Sequence, residues 1–110
     1  MEAVVVLTTV GDFEQGKVLA RDLVRAGSAA CVSLLSDATS IYRWQGEVAE
    51  EKEILLVIKT PRDRLDSLRE GLAAHHPYEL PELLVLDVSE GSGEYIAWLR
   101  ETTRSPLEEK

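Results

Sequence analysis

His75 and His76 carry the side chains best suited to chemistry, because imidazole is the commonest side-chain ligand for copper, zinc and nickel and the pair stands beside a rigid Pro77-Tyr78 turn. On a regular helix adjacent side chains point about 100° apart, so a metal shared by both needs the irregular backbone of a helix end before proline. Their plainer role is hydrogen bonding, or complementing the carbonyl end of a helix. No H-x-x-x-H, H-E-x-x-H or C-x-x-C pattern supports them. Cys31, the only cysteine, offers either a soft thiolate for Cu(I) or a small buried hydrophobe. Alone it closes no disulfide and completes no Cys-based zinc site.

Glu47, Glu50, Glu51 and Glu53 form an acidic run that could hold hard cations. Strand alternation splits them between two faces, however, and such runs are normally solvated, so they are given no catalytic role. Tyr42, Trp44, Tyr95 and Trp98 are large amphipathic rings, fit either for the core or for contact with another chain. No G-x-S-x-G, P-loop or G-x-G-x-x-G motif is present, and Ser33, Ser36 and Ser40 have no recognisable histidine and acid partners. The arginine and asparagine arrangement of a small acylphosphatase-like enzyme is missing too. No catalytic residue is assigned.

The elements that must position these residues belong to one domain, as a length of 110 residues implies. At 45% hydrophobic and 29% charged the chain is an ordinary folded one, and 5% aromatic content leaves the core to Val, Leu, Ile and Ala. A net charge of −8 argues against nucleic acid, which needs clustered cations. Met1-Glu2-Ala3 lacks a basic region and the apolar run 3–7 is too short for a signal or a span, so no membrane role and a cytoplasmic location are expected.

Residues 3–10 read as a central strand, apolar on both faces. Asp12 can cap the following helix with Gln15 completing a capping box, and Gly27 ends it. Two extended stretches, 29–43 and 47–60, flank Trp44-Gln45-Gly46 and predict a hairpin that overhangs the sheet. Thr60-Pro61 reads as a capped helix start, with Leu65, Leu68 and Leu72 as the buried stripe and an end near His76. Residues 83–88 are the fourth strand, and 91–93 lead into a terminal helix.

This is an α+β, ferredoxin-like βαββαβ sandwich with a long hairpin between the second and third strands and an extra C-terminal helix. Residues 1–104 form the domain and 105–110 a short, frayed tail. Both crossover helices fall on one face of the sheet. The other face is left apolar, which calls for burial against further copies.

Ala30-Cys31-Val32, Tyr42-Arg43-Trp44-Gln45-Gly46-Glu47, Lys59-Thr60, His76-Pro77-Tyr78-Glu79-Leu80-Pro81-Glu82, and Tyr95 with Trp98 together resemble the CutA (divalent-cation-tolerance) family. The resemblance implies a homotrimer whose long hairpins reach the neighbours. It also implies binding of Cu(II) or a similar divalent cation by His75 and His76, joined in some members by a cysteine where this chain has Thr8. Ser33, Ser36 and Asp37 depart from the Asn, Pro and Gly of many relatives and are expected to alter a loop or bulge in the second strand. A second reading is a module similar to the trimeric PII regulators, taking a small ligand or partner protein between subunits near Cys31, Tyr42, Trp44, Lys59, His76 and Glu82. No organic cofactor is evident.

Overall fold

The valine-rich run at the start of the chain forms β1 (Ala3–Val10), in the interior of a four-stranded antiparallel sheet of order β2-β3-β1-β4. The architecture is that of a computed structural model, which describes residues 3–107. Asp12 begins α1 (Phe13–Arg25) by accepting the Gln15 N–H at 2.9 Å. The helix closes at Gly27, whose φ of +78° favours glycine. A Cβ there would also lie 3.3 Å from the Ser105 carbonyl oxygen. Gly27→Ala is therefore expected to cost about 1–2 kcal/mol, read as a lower urea midpoint.

The hairpin joins β2 (Cys31–Trp44) to β3 (Glu47–Pro61) through Gln45-Gly46, both at positive φ (51° and 82°), as in a type I′ turn whose twist matches the strands. A bulge between Leu35 and Ala38 puts Asp37 at φ 67°, a conformation aspartate tolerates.

The helix start read at Thr60-Pro61 is corrected. β3 runs through Pro61, a 3-10 turn (Arg62–Arg64) follows, and α2 (Leu65–His75) begins with no side-chain cap. Thr60 pairs with Val4 in the ladder, and its buried hydroxyl donates to the Ser28 carbonyl at 2.9 Å. The tertiary bond thus takes the group that would have capped the helix. After β4 (Leu84–Asp87), Ser92 caps α3 (Gly93–Thr102) by accepting from the Tyr95 N–H.

Val4, Val6, Val10, Leu56 and Ile58 point to one face of the sheet and pack with Leu19 and Leu23 of α1 and Leu68 and Leu72 of α2. The opposite face presents Val5, Leu7, Leu55 and Val57, all half-buried, with Leu35, Leu84 and Leu86 exposed by 49, 57 and 49%. α3 roofs only one end of it, where Leu99 and Ile96 meet Ala3 and Ala30. The tail read as frayed lies back at 105–107, since Leu107 donates its N–H to the Arg25 carbonyl at 2.8 Å. Residues 108–110 lie outside the described residues. Among those described, no helix is long and apolar enough to cross a membrane.

Candidate functional site

The hairpin and the loop after α2 wall a groove of about 930 Å³. Strand register builds one wall. Ser40 faces Glu51, Ala38 faces Glu53 and Tyr42 faces Ala49, so Tyr42, Trp44, Glu51 and Glu53 share a face that continues the open side of the sheet. Pro77 and Pro81 stiffen the loop that supplies the other wall, with Tyr78, Glu79 and Glu82.

Two phenols hold two carboxylates here, one pair within the hairpin wall and one across the groove. Tyr42 donates to Glu51, and Tyr78 donates to Glu53 at 2.8 Å. Burial, then the bond to Glu53, drives the Tyr78 phenol well above its ordinary range, and the Glu51 bond raises that of Tyr42. Both phenols therefore remain protonated donors at neutral pH. Glu51, Glu53, Glu79 and Glu82 outnumber Arg43, the one cation of the lining, so the field in the groove favours a positively charged ligand.

His76 braces the loop. Its Nδ1 accepts the Tyr78 N–H at 3.1 Å, which leaves the proton of the neutral ring on Nε2. That nitrogen lies 2.9 Å from the Thr9 carbonyl oxygen and 3.1 Å from Thr8 Oγ1. Both ring nitrogens are thus engaged within the chain. His75 instead is exposed, beside a separate depression lined by Asp12, Glu14 and Asp22. In this chain the end of the helix turns the two rings apart, and His76 has no lone pair to give without breaking its bond to Tyr78. Among the described residues no three His, Cys, Asp or Glu side chains converge as a metal site.

Desolvation lowers the His76 pKa below its usual value, against the opposing pull of the Thr9 bond and Glu53. The unfolded chain consequently binds the extra proton first. Stability is expected to be full above about pH 6.5 and to fall as pH drops from there toward the lowered value. Urea midpoints at mildly acidic and neutral pH should differ more for the wild type than for His76→Gln.

The other sequence candidates divide. Tyr42, Trp44 and Glu82 line the groove, with His76 behind it. Cys31 and Lys59 pair at the far end of the same two strands, where Lys59 donates to Ser33 Oγ at 2.9 Å. Tyr95 and Trp98 stack on α3 with centroids 5.6 Å apart, half-exposed, and do not line the groove. One chain does not gather the whole set. Sequence reasoning missed Tyr78 and Glu53. One signal was there, Tyr78 standing between two prolines, whereas Glu53 lies by alternation on the open side of the sheet and is 8% exposed with Tyr78 of the loop bonded to it.

Comparison with known proteins gives a consistent pattern. A family model described as CutA1 divalent ion tolerance protein matches residues 4–102. The divalent-cation tolerance protein CutA of Thermus thermophilus is 48% identical over 99 residues, covering 90% of this chain and 96% of that protein. The crystal structure of CutA from Xylella fastidiosa superposes with a TM-score of 0.91 at 36% identity, covering 94% of this chain and 99% of the other. That of CutA1 from Oryza sativa gives 0.90 at 38% identity, covering 94 and 95%.

Proposed function

This chain belongs to the CutA1 divalent ion tolerance family, and from that premise we propose that it is a non-catalytic homotrimer whose copies bury one another's open sheet faces. The groove of Tyr42, Trp44, Tyr78 and Glu82 then receives a cationic ligand of the divalent-cation response, in the manner of a PII-like regulatory module. One observation carries this reading: the apolar face of Val5, Leu7, Leu55, Val57, Leu84 and Leu86 runs without a break into the groove wall. An apolar face of that kind in water is the usual mark of an interface. The hairpin supports a ring over a pair. Its tip, with Ile41 66% and Val48 76% exposed, overhangs the sheet and suits an unlike surface, and unlike contacts close into rings. A reducing, cytoplasmic setting suits its unpaired Cys31.

A divalent cation enters as ligand, copper being the ion tested. The second reading places it at His75, favoured by the ring's exposure beside Asp12, Glu14 and Asp22. Calorimetric titration of Cu(II) distinguishes the two. Saturable heat is expected to survive His75→Ala and to weaken several-fold in Glu79→Gln/Glu82→Gln. The reverse pattern moves the ion to His75, and no saturable heat in the wild type overturns both.

A further inference from the structure

We infer that the groove binds a primary alkylammonium group, seated on the carboxylates of Glu53 and Glu51 among the rings of Tyr42, Trp44 and Tyr78. This rests on the reading of the groove as a cation site and names an organic cation for it. Glu53 carries the argument. It is 8% exposed, and a carboxylate so far withdrawn from water ordinarily meets a cation. Among the described residues it meets none, for its donor is the neutral Tyr78 phenol, at Oε2. Glu51 is likewise held by the Tyr42 phenol, at Oε1, and forms no ion pair among those residues. Each carboxylate keeps one oxygen that no phenol occupies.

Alternation puts Glu51 and Glu53 on the same face of β3, about 6.8 Å apart along the strand, so one small cation can reach both. An ammonium has three N–H donors for the two free oxygens, and its charge is also attracted to aromatic faces. A bare metal ion draws on ligand atoms alone, and among the described residues no three His, Cys, Asp or Glu side chains converge to supply them. The three rings therefore favour an organic cation. Leu80, 72% exposed, and Pro81 line the same groove and suit an alkyl chain. A volume of about 930 Å³ is that of an ordinary small-molecule site.

The test is calorimetric titration of n-butylammonium chloride, with n-butanol as the uncharged control. Wild-type protein is expected to bind the ammonium saturably and the alcohol not at all. Glu53→Gln removes the charge while keeping the shape, and should weaken binding about tenfold or more. Because Glu53 is buried, far-UV circular dichroism checks that variant, and Trp44→Ala, at an exposed position, should independently weaken binding about threefold. Tetramethylammonium, which has no N–H to donate, should bind more weakly than butylammonium. The same group arrives either as a free amine or as a lysine side chain: tighter binding of acetyl-lysine amide supports a protein source, and tighter binding of butylammonium a free one. Equal binding of butanol or tetramethylammonium, or undiminished binding by both variants, would overturn the inference. Copper heat in the wild type without ammonium heat overturns this inference alone, and heat from neither removes the cation reading of the groove as well.

Discussion

Replacing Leu84 and Leu86 with glutamate is expected to turn the proposed trimer into folded monomers of 12.2 kDa. Both leucines lie on β4, opposite Leu7 and Val5, and are 57 and 49% exposed in the single chain, so the isolated fold scarcely depends on them. The proposed assembly depends on them heavily. Covering one leucine is worth about 1.5–3 kcal/mol, and trapping an unpaired carboxylate costs several kcal/mol, repeated at every equivalent contact of the ring. Light scattering with far-UV circular dichroism reads both outcomes. An L84E/L86E protein that keeps the wild-type mass would show that this face is not the interface.

His76→Ala should have the next largest effect, lowering stability by about 2–4 kcal/mol: each hydrogen bond is worth about 1 kcal/mol, and a buried hydroxyl left without its partner costs about 1–3. The ring ties the loop to β1 at two points, the Thr9 carbonyl and the hydroxyl of fully buried Thr8, and holds the Tyr78 N–H from the other side. Without it Tyr78 loses its anchor and Glu53, 8% exposed, loses a fixed donor. The urea midpoint should fall, and Cu(II) binding in the groove should weaken with it. An unchanged midpoint would mean that the loop is held by other contacts.

Much of the fold is legible where local preference and tertiary structure agree. The valine run of β1, the Asp12 cap, the Gly27 stop and the Gln45-Gly46 turn each express backbone chemistry that needs no distant partner. Thr60 shows the limit. Its hydroxyl answers to Ser28, thirty-two residues away in the chain, and no local pattern reveals that bond. The site divides along the same line. Tyr42, Trp44 and Glu82 are found from residue type and resemblance, whereas the roles of Tyr78 and Glu53 depend on a loop meeting a strand twenty-five residues distant in sequence. For His75 and His76 adjacency in sequence is separation in space at a helix end, one ring turned to solvent and the other to β1.

Light scattering on the wild-type chain at micromolar concentration tests directly whether copies of the protein shield one another's sheets. A particle of about three times 12.2 kDa is expected, unchanged when copper is added. A well-folded particle of 12.2 kDa would contradict it.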